Sequence, residues 1–257
     1  MKKQFITFVV FCSAFGLNAQ NVVFKKVLDR PKQLTYYALN HLGDTSSIVS
    51  NEIAKETPLR TFTFKDPFLG TIHQYDERNP LQQLVFYKNT QQLIVLDNQL
   101  SIKERVALTE RFPEIDASYA ALTAQSSIWI FDEASKRWCI LNTLKEQPQF
   151  VSNPISYYDF IITDGNNAYW QSGTSVFGID IYGKVIKEQM LPEKAKLLAI
   201  NGAKMLYQLN NNVFLFDTEN ETKEPLKEIS NTIEKAFFNG QNISILTSDQ
   251  LFLYNVN

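Results

Sequence analysis

KLLAINGAKMLYQLNNNVFLFDTENETKEPLKEI, residues 196–229, reads as four short strands separated by three polar turns. KLLAI (Lys196 to Ile200) is a compact apolar run, and Asn201-Gly202 after it is a strong hairpin signal. KMLYQL (Lys204 to Leu209) is the second strand, and the Asn210-Asn211-Asn212 triplet turns the chain again. VFLFD (Val213 to Asp217) is the third strand, TENETKEP is a polar loop, and LKEI (Leu226 to Ile229) is a polar fourth strand. Apolar character fades from the inner strands to the last. A small sheet clamped between neighbours on its inner side and wetted on its outer side has this profile.

The same cadence occurs one unit earlier. DFIIT (Asp159 to Thr163), an Asp164-Gly165 turn, NAYWQ (Asn167 to Gln171), a Ser172-Gly173 turn, VFGID (Val176 to Asp180), a Tyr182-Gly183 turn and KVIKEQ (Lys184 to Gln189) repeat it. Five apolar segments ending in Asp or Asn mark the repeat: LIVLD, IWIFD, VFGID, VFLFD and LFLYN. They end at positions 97, 132, 180, 217 and 255, which are 35, 48, 37 and 38 residues apart. Four antiparallel strands per period of about forty residues describe the blade of a β-propeller.

Working outward, QQLVFYK, QLIVLD and IKERVAL (Gln82 to Leu108) give three strands of a blade opened by TIHQY (Thr71 to Tyr75). The next blade runs from EIDAS (Glu114 to Ser118) through YAALTA, SIWIFD and RWCILN. TYYALN (Thr35 to Asn40) to LRTFTF (Leu59 to Phe64) is the most degenerate unit, and its charged middle reads as irregular. KAFFNG, NISILTS and LFLYN supply only three strands at the chain's end, while NVVFKKVL (Asn21 to Leu28) is an alternating strand with nothing before it to pair with. The expectation is an all-β, six-bladed propeller whose last blade is closed by the N-terminal strand, leaving no open edge at the join.

Residues 1–19 read as a signal peptide, with 20–257 as a single propeller domain. Lys2 and Lys3 form a basic start, Phe5 to Leu17 an apolar run too short to span a bilayer, and Ala19 and Gln20 the cleavage region. Phe11 before Cys12 is too large for lipoprotein processing, and no later run reaches membrane length. The mature chain is therefore expected in the periplasm or cell envelope, as a monomeric domain. The full sequence has a net charge of −2, which gives no basic field for nucleic acid. Cys139 would be the only cysteine left after cleavage, so packing without an internal disulfide must hold the fold; beside Trp138 it reads as a buried small hydrophobe.

Catalytic signatures are absent. The only histidines, His41 and His73, lack a second histidine at metal-ligand spacing, and there is no phosphate-cradling glycine loop or calcium loop. TDGNNAYW (Thr163 to Trp170) misses the sialidase Asp-box because glycine follows Asp164 directly, and the arginines are scattered with none after Arg137. No cofactor, metal or catalytic residue is expected. Asp97, Asp132, Asp180 and Asp217 read as turn-capping residues ending each third strand, recurring because the repeat recurs. Tyr157 and Tyr158 in NPISYYD, with Asp76 and Arg78 in QYDERNP, are candidate contact residues, since Tyr and Arg favour interfaces.

The period and four-strand units resemble the WD-repeat and kelch-like superfamily, though no Trp-Asp dipeptide, Gly-His pair or Gly-Gly doublet occurs. Phe64 to Ser101 is similar to a segment of exported Bacteroidetes propellers with no assigned role, through Leu69-Gly70-Thr71-Ile72, Asn79-Pro80-Leu81, Phe86-Tyr87-Lys88 and Leu96-Asp97-Asn98; DERNP departs from their more neutral turn. The resemblance implies an envelope protein and carries over no catalytic residue. The expected role is a non-catalytic binding or scaffold module with an envelope protein partner. The alternative is a hydrolase or lactonase-like enzyme acting on a sugar-related substrate in the central channel.

Overall fold

The computed structural model describes residues 22–40, 43–79, 81–142, 147–226, 229 and 232–256. The leader, with Ala19 and Gln20, lies outside the described residues, as does His41. The described chain forms six antiparallel sheets of four strands each. In five of them the strands follow in sequence order from the inner strand outward. Leu34–Leu39 opens the first blade, Gln74–Asp76 the second, Ala117–Leu122 the third, Phe160–Thr163 the fourth and Lys196–Asn201 the fifth.

The sixth blade is composite. Ile233–Asn239, Asn242–Thr247 and Gln250–Val256 come from the end of the chain, and Val22–Asp29 adds the outermost strand. Val22 pairs with Val256 and Asp29 with Gln250 across this join. Arg30 fastens its exit. Its backbone N–H donates to the Asp249 carbonyl at 2.7 Å, its Nε donates to the Leu34 carbonyl at 3.0 Å, and its guanidinium pairs with Glu234 at 2.6 Å. The expected ring closure is therefore present.

The core consists of six apolar clusters, one in each seam between neighbouring blades. Ile128 and Ile130 pack toward the second blade with Leu93 and Val95, whereas Trp129 and Phe131 of the same strand pack toward the fourth with Ala168 and Ile179. Val213 and Leu215 likewise serve the sixth-blade seam, while Phe214 and Phe216 serve the fourth. A strand buried on both sides needs apolar residues at every position, so these segments read as continuous apolar runs. Each fully buried large side chain contributes on the order of 1.5–3 kcal/mol, and Trp129, Trp138, Phe131 and Tyr169 are among the largest. Edge-to-face contacts of Trp138 with Tyr119, Trp129 and Phe131 add directional packing in one seam.

Four local expectations are corrected. In the third blade EIDAS is not a separate strand. The blade begins at Ala117–Leu122, so Ile128–Asp132 is its second strand, Arg137–Leu141 its third, and Gln149–Phe150 its fourth. A short helix, Leu108–Arg111, lies in the connection ahead of this blade. The fourth strand of the fifth blade is Thr222–Leu226, earlier than LKEI. Pro225 is tolerated because this is an edge strand with one unpaired side. The charged middle of the first blade is regular, forming Thr45–Val49 and Glu52–Glu56. The inner strand of the second blade is Gln74–Asp76, displaced toward the charged residues from TIHQY.

Candidate functional site

The six inner strands surround a central channel of about 610 Å³. Its wall is a mixture of apolar side chains, including Ile48, Ile72, Phe160, Leu198 and Phe237, and a set of polar ones. Strand direction divides the molecule into two faces. The turns from first to second and from third to fourth strand share the turn face. The turns from second to third strand and the inter-blade connections share the connection face.

The turn-face end of the channel holds a polar belt. The Arg78 guanidinium grips Asp76 with two donors, Nε at 2.8 Å and Nη2 at 2.5 Å. The Leu122 N–H of the third blade donates to the same carboxylate at 2.8 Å. Arg78 Nη1 donates to the Thr163 carbonyl of the fourth blade at 2.7 Å and Nη2 to Thr163 Oγ1 at 3.0 Å. The Thr163 N–H donates to the Tyr119 hydroxyl at 3.0 Å. Burial works to raise the Asp76 carboxyl, but the adjoining Arg78 charge and the hydrogen bonds outweigh it and hold the group below its usual value.

Glu77, the next residue, has the opposite character. Tyr36 Oη donates to its Oε1 at 3.1 Å and Asn239 Nδ2 at 3.4 Å. Burial dominates here. Hydrogen bonds from Ser46 and Tyr36 and the Lys55 charge oppose it, Asp76 adds to it, and the carboxyl is pushed up to about 7. Two adjacent carboxyl groups thus differ in charge preference because only one has an arginine.

The connection-face mouth carries His73, which also lines a neighbouring cavity of about 740 Å³ with Lys88, Lys235 and Asn51. Burial and then the charges of Lys88 and Lys235 lower the His73 imidazole, with a backbone hydrogen bond to Ser118 working against them.

The residues singled out in sequence fall in different places. Tyr157 is 59 % exposed on the connection between the third and fourth blades. Tyr158, beside it, is half-buried, donates to Glu133 Oε2 at 2.7 Å and lies edge-to-face with Phe131. Asp76 and Arg78 lie at the other end of the channel, so the four do not form one surface. Asp97, Asp180 and Asp217 end third strands and accept backbone N–H groups of the following turn: Gln99 and Ser101 for Asp97, Tyr182 and Lys184 for Asp180, and Glu219 and Asn220 for Asp217. Asp132 ends a second strand instead, on the opposite face, and accepts from the N–H groups of Asp116 and Ser135. Glu77, Lys88 and Lys235 were not anticipated. The DER triplet at 76–78 was the only local signal, because the remaining partners lie on other blades.

No family model matches the chain, and no curated protein matches it. Solved structures match in fold. A streptogramin B lyase is 14 % identical with a TM-score of 0.60, covering 89 % of this chain and 81 % of the lyase. The extracellular domain of the hybrid two component system BT4673 from B. thetaiotaomicron is 8 % identical with a TM-score of 0.57, covering 87 % of this chain and 34 % of that one. The WD40 domain of Pan2 from Neurospora crassa is 7 % identical with a TM-score of 0.54, covering 87 % and 75 %. At these identities the likeness is one of propeller architecture. No helix among the described residues is long and apolar enough to cross a membrane.

Proposed function

We propose that this propeller is an exported binding module of the periplasm or cell envelope, working through its loop faces and not as a catalyst. The observation that carries the reading is the polar belt. Asp76, Arg78, Tyr119 and Thr163 satisfy one another across three blades, which is the arrangement of a structural brace. Loops of the connection face meanwhile present Phe68 and Tyr157 to solvent, and loops on a rigid ring are free to vary without disturbing the core. Export fits the placement of the first strand, which starts at Val22, two residues beyond the proposed cleavage region at Ala19 and Gln20. The extracellular propeller from B. thetaiotaomicron and the lyase mark two roles to which such a ring has been put, and so frame the choice between binding and catalysis.

Glu77 favours a second reading. A channel-lining carboxyl raised to about 7 is suited to general-acid chemistry on a sugar or lactone.

A photo-crosslinking amino acid at position 157, with a second at exposed position 182 on the turn face, tests the choice in a native envelope preparation. One stoichiometric protein adduct from position 157 supports the binding module. No adduct from either position, together with turnover of a glycan or lactone panel that disappears in Glu77→Gln, overturns it.

A further inference from the structure

The connection-face mouth is built differently from the belt below it. The cavity there is lined by Lys88, Lys235 and His73, by uncharged polar residues such as Asn51, Ser50 and Thr35, and, among the described residues, by no Asp or Glu. The acidic neighbour of Lys235, Glu234, is engaged by Arg30 at 2.6 Å. Neither Lys88 nor Lys235 makes an ion pair among the described residues. Lys235 is further pressed by its surroundings: burial, then the Arg30 charge, lower its ammonium, with Glu234 opposing. Lys88 of the second blade and Lys235 of the sixth therefore share one rim with neither held in an ion pair among the described residues, an arrangement that an anion relieves.

This cavity is continuous with the channel, since Thr35, Ile72, His73 and Lys235 line both. Above the polar belt the channel wall also carries the aromatic side chains of Tyr36, Phe160 and Phe237. Polar donors at the rim and flat apolar walls beneath are the two parts of a small-molecule pocket, and the channel volume lies within the usual range for one.

We propose that the connection-face mouth binds a small organic anion, its oxyanion head held by Lys88, Lys235 and His73 and its apolar body seated in the channel against Tyr36, Phe160 and Phe237. The site is independent of any protein partner, and no covalent step is involved. Arg78 does not compete for the head group, because its donors are taken by Asp76 and Thr163.

The test is calorimetric titration of the chain from residue 21 onward with 2-naphthoate, with the neutral 2-naphthamide, and with inorganic phosphate. The expected result is saturable naphthoate binding, at least about tenfold weaker binding of the amide, and phosphate binding weaker than naphthoate. Lys88→Gln with Lys235→Gln should weaken naphthoate by about tenfold or more, whereas Lys103→Gln, on an exposed outer strand, should leave it unchanged. Because neither mouth lysine makes an ion pair among the described residues, the double variant should unfold at a midpoint no lower than the parent's, which separates loss of binding from loss of fold. Naphthoate and amide binding equally, phosphate binding as tightly as naphthoate, undiminished binding in the double variant, or no saturable naphthoate binding would each overturn the proposal.

Discussion

Arg78 of the second blade donates to the Thr163 carbonyl of the fourth blade at 2.7 Å while holding the Asp76 carboxylate with two further donors. One side chain thus ties two blades that are not neighbours. Removing it would strand Asp76, which is almost fully buried. Arg78→Ala should cost about 2–3 kcal/mol in urea unfolding; breaking a buried pair costs roughly 3–5 kcal/mol, discounted because the arginine side chain itself is 30 % exposed. Arg78→Lys should recover only part of this, because an ammonium cannot reproduce the planar fork. A loss below about 0.5 kcal/mol in Arg78→Ala would mean the belt carries no load.

Glu77 gives stability a pH dependence of defined sign. Its carboxyl lies at about 7 in the folded chain against 4.5 ordinarily. The folded state therefore favours the protonated form. The associated stability is fully present below about 4.5 and is lost as pH rises through about 7. The full difference is on the order of 3 kcal/mol, and solvent access through the channel trims it to about 1–2 kcal/mol. Glu77→Gln should be more stable than the parent at pH 8 and lose that advantage at pH 5, as read from unfolding midpoints. Parallel pH profiles would contradict the assignment.

Two glycines in the fourth blade are fixed by close approach. A Cβ on Gly178 would lie 2.6 Å from the ring of Tyr169, whose hydroxyl donates to Asp164 at 2.8 Å. A Cβ on Gly183 would lie 2.0 Å from the Val151 carbonyl oxygen, at a φ of +83°. Gly183→Ala should destabilise by more than about 2 kcal/mol, because backbone must move on both sides. Gly202→Ala has the left-handed φ of +58° but nothing within 4 Å. It should cost only about 1 kcal/mol. Equal thermal shifts for the two variants would show that the contact with Val151 does not exist in solution.

Cys139 is fully buried in the seam between the second and third blades. Burial, reinforced by the Asp132 charge, pushes its thiol up. A chain beginning at residue 21 should show no reaction with a thiol reagent at pH 8 while folded and one equivalent after denaturation. Prompt labelling of the folded chain would place Cys139 outside the seam.

The blade repeat was legible because strands buried on both faces need unbroken apolar runs, and VFLFD and VFGID show them. The same property misled the reading of IWIFD. Every residue from Ile128 to Asp132 is buried, so nothing in the pattern distinguishes a second strand from a third. Its Asp ending then placed Asp132 on the wrong face. The Gln149–Phe150 strand is only two residues long, too short to give a periodic signal. Pro225 and its charged neighbours made an edge strand look like a loop. In the channel, Asp76 and Arg78 are two residues apart and their pairing is local. Thr163, Asn239 and Lys235 reach the same channel only because the ring closes, and spacing along the chain carries no trace of that.

Ring closure by the N-terminal strand determines all of these placements, and hydrogen exchange at the Gln250–Val256 segment tests it most directly. With Val22–Asp29 paired along its outer side, this segment should be protected to the level of Asn242–Thr247, its inner neighbour. Deleting residues 22–29 should turn it into a fast-exchanging edge, with the inner strands of other blades unaffected. Exchange in the intact chain already at edge-strand rates, unchanged by the deletion, would contradict the closure.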